Sequence, residues 1–135
     1  MSRKPLEGKN VFLSGPMTGM PCNNLQAFIS AHKLLLEYGA KDIFNPAFQW
    51  LHELEQNKTE KSHEYYMRKC ISELTKGDWF SEDREFGIDG DLPARYDMLV
   101  RLDGWESSEG AVMESKVAEA CGIQVVDLSD IRKGD

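Results

Sequence analysis

Short apolar runs alternate with helix-length segments along this chain, and that alternation limits the folds it can adopt more than any other feature. Four runs bounded by turn residues are predicted to be strands, at Val11–Ser14, Asp42–Phe44, Asp97–Leu102 and Ile123–Leu128. Their residues are apolar on both faces, which is typical of parallel strands that helices cover on each side. The pattern therefore predicts a parallel sheet.

Three amphipathic helices are predicted between these strands. The first begins after Asn23 or Asn24, either of which can cap it, and ends at Gly39; the others span Ser62–Lys76 and Glu109–Cys121. Right-handed crossovers place helices on both sides of a parallel sheet. The fold class is therefore α/β, a three-layer Rossmann-like or flavodoxin-like arrangement. Ligands of such sheets bind beyond the carboxyl ends of the strands.

Length and composition bound the class of protein. The 135 residues suit one domain, residues 1–135, and the net charge of −7 argues against binding duplex nucleic acid, which needs clustered Lys and Arg. No stretch resembles a signal peptide or reaches the roughly 20 apolar residues of a membrane helix, so we expect a cytoplasmic protein without a membrane partner. The cysteines, Cys22, Cys70 and Cys121, fit neither a disulfide framework nor a zinc site, and no metal is implied.

A glycine-rich loop follows the first predicted strand. It consists of Ser14, Gly15, Pro16, Met17, Thr18 and Gly19. Backbone amides ahead of a helix favour an anionic ligand, although the spacing is neither a Walker nor a dinucleotide motif. Taken alone, the loop is more typical of a turn than of a phosphate cradle.

The segment after the third predicted strand, GWESSEGAVMES, contains a second candidate ligand site. Ser107 or Ser108 can cap the following helix, and either hydroxyl, together with amides near Gly110, can hold a phosphate or a carboxylate. Simple capping explains these residues equally well.

Glu114 lies in the apolar stripe of its predicted helix, with Val117, Ala118 and Cys121 three, four and seven residues later. Glutamate is rarely buried without a partner, and a position near a helix start at the carboxyl end of a sheet faces the ligand crevice. Glu114 is therefore the leading candidate for a functional residue.

Other polar residues have plainer interpretations. His32, on the apolar face of the first helix, is interpreted as a core or edge histidine. A solvated face is expected for four acidic residues, Glu53, Glu55, Glu60 and Glu64.

Two separated motifs, SGPMTGMP at the end of the first strand and LDGWESSEGAVMES beyond the third, resemble the DUF4406 family. That family is frequent in phages and prophages. It is similar in turn to the nucleoside 2-deoxyribosyltransferases and the deoxynucleoside 5'-monophosphate N-glycosidases. The NPA sequence at 45–47 also fits, and the resemblance covers most of the chain outside 77–95.

The resemblance implies roles for particular residues. In those enzymes a glutamate in the helix after the third main strand attacks the anomeric carbon of the sugar, and Glu114 matches it. Ser108 matches a phosphate-binding serine of the monophosphate hydrolases, which favours nucleotides as ligands. We expect substrate contacts from the loop 14–19 and from Asn45, Pro46, Trp105, Ser108 and Gly110. The resemblance implies no cofactor, and it implies assembly as a homo-oligomer.

Two positions depart from the family pattern. Phe12 stands where the resembling enzymes usually have a tyrosine that orients the nucleophile, and phenylalanine has no hydroxyl to donate. Cys70 stands where they commonly have an acidic residue that helps to protonate the base. Asp103 is a candidate for that acid, as are Asp78 and Asp97.

The resemblance therefore implies an N-glycosidase or deoxyribosyltransferase for nucleosides or their 5'-monophosphates. The changes at Phe12 and Cys70 leave open a nucleotide-binding module without turnover, and related folds leave open a protein that cleaves NAD. Residues 77–95 are interpreted as an insertion, whose Trp79, Phe80 and Phe86 suit a lid over the base or a subunit contact. A partly disordered excursion is the alternative.

Overall fold

The computed structural model describes residues 4–57, 62–76 and 94–133. Within these ranges, four strands form one parallel sheet in the order β2-β1-β3-β4. They are β1 (Asn10–Ser14), β2 (Asp42–Phe44), β3 (Met98–Arg101) and β4 (Gln124–Asp127). The predicted α/β class and its four strands are confirmed.

Five α-helices occur in the described part of the chain. They are α1 (Leu25–Glu37), α2 (Pro46–Asn57), α3 (His63–Leu74), α4 (Glu109–Ala120) and α5 (Leu128–Lys133), with 3-10 turns at Pro21–Asn24 and Trp105–Ser107. The sequence predicts α1, α3 and α4 but not α2 or α5. The last two predicted strands are each one residue too long at both ends, and Leu128 already begins α5.

The start of α2 has a local cause. Pro46 occupies the first helical position, where its missing N–H costs nothing, and the Asn45 side chain accepts a hydrogen bond from the Ala47 amide at 3.0 Å. By contrast, Asn24 precedes α1 in a left-handed conformation and makes no capping hydrogen bond with its side chain. The predicted capping role of Asn24 is therefore wrong.

Side chains of β1 alternate between two cores, one on each face of the sheet. Val11 and Leu13 belong to the cluster that contains the buried residues of α1. Phe12 belongs to the opposite cluster, with Leu74 from α3 and Ala118 from α4, so helices cover both faces. Because strand residues two apart share a face, Ser14 at the end of β1 lies on the α3 and α4 side.

The central strands β1 and β3 lead to helices on opposite faces of the sheet, which makes their carboxyl ends the topological switch point. Here the Leu102 amide donates to the Ser14 carbonyl at 2.8 Å. A Cβ atom on Gly15 would lie 2.9 Å from the Leu102 Cβ, so only glycine allows this close approach. The two loops that carry the predicted motifs therefore meet at one point.

The structure also tests the predictions made for the acidic residues and for His32. Glu53 is buried, so the prediction that it lies on a solvated acidic face is wrong. Glu55 and Glu64, from the same predicted set, are exposed. His32 is half-buried and lies 3.3 Å from the Asn45 side-chain nitrogen, as expected for an edge histidine.

The proposed insertion lies mostly outside the described residues, and its roles as a lid or a subunit contact stay predictions. Its last residue lies next to the residue that precedes the insertion, since the Arg95 amide donates to the Lys76 carbonyl at 2.9 Å. Among the described helices, none has the length and apolar character needed to cross a membrane.

Candidate functional site

A pocket of about 290 Å³ opens at the carboxyl ends of the strands, near the lower limit of typical ligand sites. The loop after β1, the helices α2 and α3, and the start of α4 form its walls. Its lining residues are Gly15, Met17, Thr18, Gly19, Asn23, Pro46, Gln49, Trp50, His63, Tyr66, Met67, Lys69, Cys70, Ser108, Gly110, Ala111 and Glu114.

Glu114 is the buried carboxylate of this pocket, with 6% of its surface exposed. The Ser14 hydroxyl donates to Glu114 Oε1 at 2.6 Å, and the Cys70 thiol lies close enough to the same carboxylate to affect its pKa. Burial raises the pKa of Glu114 to about 7, against the opposing effect of the Ser14 hydroxyl and the Cys70 thiol. A carboxylate of this kind exists in both protonation states near neutral pH.

Three separate elements place these groups together. Ser14 ends β1 on the face that α3 and α4 cover, Cys70 lies on α3, and Glu114 lies on α4. Phe12, on the same face of β1, packs against Phe44 with ring centroids 4.9 Å apart and is fully buried. The hydroxyl that reaches the glutamate therefore belongs to Ser14.

One end of the pocket is rich in hydrogen-bond donors. Thr18 Oγ1 and His63 Nδ1 lie 3.4 Å apart, and a Cβ atom on Gly110 would lie 3.9 Å from His63 Cε1. Ser108 caps α4, because its hydroxyl oxygen accepts the Ala111 amide at 3.2 Å. The same hydroxyl can still donate its hydrogen to a ligand, so capping and ligand binding are compatible.

An ionic cluster forms the α2 and α3 side of the pocket. Glu53 Oε1 accepts the Tyr65 hydroxyl at 2.6 Å and lies 3.0 Å from Lys69 Nζ. Burial alone would raise the pKa of Glu53, but hydrogen bonds from Tyr65, Lys69 and Gln49, with the charge of Lys69, lower it overall. The carboxylate is therefore ionised and holds Lys69 and Gln49, both of which line the pocket.

Asn23 joins the loop after β1 to α2. Its backbone is left-handed, with φ of 52°, which is uncommon outside glycine and costs conformational energy. With its carboxamide in the orientation that satisfies both neighbours, Asn23 accepts from Trp50 Nε1 at 3.1 Å and donates to the Met17 carbonyl at 3.2 Å. These contacts fix the aromatic side of the pocket.

The structure brings many of the predicted site residues together. Those that line the pocket are Gly15, Met17, Thr18, Gly19, Pro46, Ser108, Gly110 and Glu114, and Ser14 contacts Glu114. Their binding and catalytic roles stay predictions.

Other predicted residues lie outside the lining of this pocket. Asp103 is exposed, and Trp105 stacks on the Arg101 guanidinium at 3.6 Å. Asn45 is buried and donates to the Phe28 carbonyl at 3.3 Å. Pro16 is buried as well, beside Gly104.

Of the alternative acids, Asp97 lies at the wrong end of the sheet. Its carboxylate accepts the Asn10 amide at 2.8 Å, at the first residue of β1, whereas Glu114 faces the last residue of that strand. Asp78 lies outside the described residues.

Sequence reasoning missed several lining residues, most of them on α2 and α3. They are Asn23, Gln49, Trp50, His63, Tyr66, Met67, Lys69 and Ala111. A signal for α2 was present, because Ala47, Trp50, Leu51 and Leu54 recur at helical spacing after the Asn-Pro pair.

Most of the chain matches a known protein family. A family model described as a domain of unknown function, DUF4406, matches residues 9–82 and 79–127. The matched ranges include the loop after β1 and the whole of α4. No curated protein and no solved structure matches the chain.

Proposed function

The chain belongs to the DUF4406 family, and we propose that it is an N-glycosidase or deoxyribosyltransferase acting on nucleosides or their 5'-monophosphates, with Glu114 as the nucleophile. The observation that carries this proposal is a buried carboxylate with a pKa near neutrality, located in a pocket at the topological switch point. A structural glutamate would gain more stability from a cationic partner or from an exposed position.

The proposed reaction proceeds through a covalent ester. A Glu114 oxygen attacks the anomeric carbon, the carbon–nitrogen bond breaks, and its electron pair leaves with the base. Water then attacks the same carbon to release the sugar, or a second base takes it in a transferase. Glu114 must be ionised for the first step, so activity should rise as the pH increases towards about 7 and level off above it.

The pocket supports one orientation of a nucleotide. In the proposed binding mode the anomeric carbon lies at Glu114 and the 5'-phosphate lies at the donor-rich end formed by Thr18, His63 and Ser108. A hydroxyl, an imidazole and the first amides of α4 suit an anionic group. The base then lies against the Trp50 and Gln49 side chains of α2.

Ser14 takes the orienting role that the resembling enzymes give to a tyrosine at the position of Phe12. Its hydroxyl donates to Glu114 at 2.6 Å, which favours the ionised form and fixes the carboxylate in one direction. The departure at Phe12 is therefore compatible with nucleophilic catalysis.

The test is release of free base from a panel of nucleosides and 5'-monophosphates, followed by liquid chromatography with and without an acceptor base. Glu114→Ala should reduce release by about 10⁴-fold or more, as expected for loss of a nucleophile. Glu119→Gln, at an exposed position of the same helix, is the matched control and should have wild-type activity. Exchange into the acceptor would identify a transferase.

A nucleotide-binding module without turnover is the second candidate, favoured by one observation. Cys70 supplies a thiol at the position of the family acid, and burial together with the charge of Glu114 raises the pKa of that thiol. Binding of 5'-monophosphates without base release would support this module. The homo-oligomeric assembly and cytoplasmic location that the resemblance implies stay predictions.

A further inference from the structure

Glu53 is a buried charge that lies outside the proposed nucleophilic site. It is 6% exposed, whereas its partner Lys69 is 46% exposed and lines the pocket. Burial of a carboxylate costs free energy unless it is paired, and α2 has exposed positions that would hold a glutamate without that cost. The pairing with Glu53 therefore places the Lys69 side chain at the pocket.

Pairing with Glu53 fixes a side chain that is otherwise flexible. Lys69 Nζ lies 3.0 Å from Glu53 Oε1 and 5.7 Å from the centroid of the Tyr65 ring, so its long stem is directed along the α2 and α3 wall. An ammonium has three N–H donors, of which Glu53 takes one. The hydrogen bond and the charge of Glu53 raise the pKa of Lys69, so the ammonium persists at neutral pH.

Cleavage of a glycosidic carbon–nitrogen bond needs such a group. The electron pair that leaves with the base must be stabilised by a proton or by a positive charge. Glu114 is the one carboxyl group among the described residues that line the pocket, and the raised pKa of the Cys70 thiol makes it a weak acid. Lys69 is next to Cys70 in the chain, and both residues line the same pocket as Glu114.

We infer that Lys69, held by Glu53, stabilises the negative charge of the departing base while Glu114 attacks the anomeric carbon. The bond from Glu114 oxygen to carbon forms and the carbon–nitrogen bond breaks. Its electron pair is delocalised onto a carbonyl oxygen of the base, which lies against the ammonium, and the base later takes a proton from water. This role rests on the proposed function and favours bases with a carbonyl beside the glycosidic nitrogen. Lys69 is then a catalytic residue, and Glu53 is its positioning residue.

The experiment compares two leaving groups. One substrate is the nucleotide that the wild-type protein cleaves best, and the other is the corresponding 4-nitrophenyl glycoside, whose leaving group departs as a stable anion. Lys69→Met should lower kcat on the nucleotide by about 10²–10³-fold, as for loss of one electrostatic donor, and on the nitrophenyl glycoside by less than about 10-fold. Lys69→Arg should retain most of the activity, and Lys116→Met, at an exposed position of α4, should retain all of it.

Lys69→Met alone leaves the Glu53 carboxylate buried without its cation and can unfold the protein. The double variant Glu53→Gln with Lys69→Met removes both charges and should show the same dependence on the leaving group. Glu53→Gln alone should lower kcat on the nucleotide with KM unchanged, and have little effect on the nitrophenyl glycoside. A merely structural role would lower both rates equally.

The outcomes separate this inference from the proposed function. Equal losses on the two substrates, in a protein whose wild type cleaves both, would overturn the role of Lys69 and leave Glu114 as the nucleophile. A wild type that releases neither base nor nitrophenolate would overturn the glycosyl chemistry itself. A loss confined to the nucleotide would support both.

Discussion

Glu53 and Glu114 are each 6% exposed, yet the two regions around them treat a buried carboxylate in opposite ways. Between α2 and α3, Lys69 and Tyr65 supply a charge and a hydroxyl within 3.0 Å and 2.6 Å of Glu53, and the pKa of Glu53 is lowered. At the end of β1, burial dominates around Glu114 and raises its pKa to about 7.

The difference shows what each region can do. A carboxylate with a lowered pKa stays charged across the neutral range and can hold a cation in place. A carboxylate whose polar neighbours are the neutral Ser14 and Cys70 side chains can change its protonation state near pH 7. The first is suited to organising a wall of the pocket, and the second is suited to chemistry.

The comparison predicts opposite pH dependences of stability, and the larger effect belongs to Glu114. Its folded pKa lies above the unfolded value of 4.5, so its protonated form stabilises the fold fully below about pH 4.5, and this stability is lost as the pH rises through about 7. Glu114→Gln should therefore be more stable than wild type by about 3 kcal/mol at pH 8 and equal to it near pH 4.5. Urea unfolding of both proteins from pH 4.5 to pH 8 measures this difference, with Glu119→Gln as the control.

If Glu114→Gln and wild type kept a constant difference over that range, the carboxylate would not be titrating near neutrality. The proposed difference between Glu53 and Glu114 would then be wrong for Glu114, the residue on which the proposed function depends.

Glu53 should behave in the reverse direction with a smaller effect. Its folded pKa lies below 4.5, so its contribution is present above that pH and lost as the pH falls through the lowered folded value. Glu53→Gln should cost about 1–2 kcal/mol at pH 7, since the half-exposed Lys69 is partly screened, and the cost should disappear in acid. Guanidinium unfolding at pH 7 and pH 3 measures it, and Glu55→Gln, exposed on the same helix, should be neutral at both.

The smallest effect is expected at Ser14. Its hydroxyl lowers the pKa of Glu114, so Ser14→Ala should move the rising limb of the pH–rate profile upward by up to about one pH unit, the equivalent of one hydrogen bond to a charged group. Ser115→Ala removes a different buried hydroxyl, on α4, that donates to the Ala111 carbonyl at 2.9 Å, and it should leave the profile unchanged. A profile that moved equally in both variants would point to loosened packing instead of a specific hydrogen bond.

Much of the fold could be predicted from the sequence because its signals are local. The strands are short apolar runs between turn residues, and the first residues of α3 and α4 follow from capping by Ser62 and Ser108. Glu114 could also be singled out, since its place in an apolar stripe depends on helical periodicity alone.

The α2 and α3 wall could not be predicted, because its partners are separated in the chain and meet only after folding. Glu53 is buried because Tyr65 and Lys69, on the next helix, satisfy it. From the sequence of α2 alone, Glu53 cannot be distinguished from a solvent-exposed acidic residue. Asparagine tolerates the left-handed backbone found at Asn23, but its contacts with Trp50 and Met17 likewise form only after folding.

The most direct test of the account is to trap the glycosyl ester. The wild-type protein would be incubated with a 2-fluoro analogue of its best nucleotide substrate, which slows release of the sugar from the enzyme, and then digested for peptide mass spectrometry. We expect one sugar adduct, on the α4 peptide at Glu114, and none in Glu114→Gln. An adduct on another residue, or base release that persists in Glu114→Gln, would contradict it.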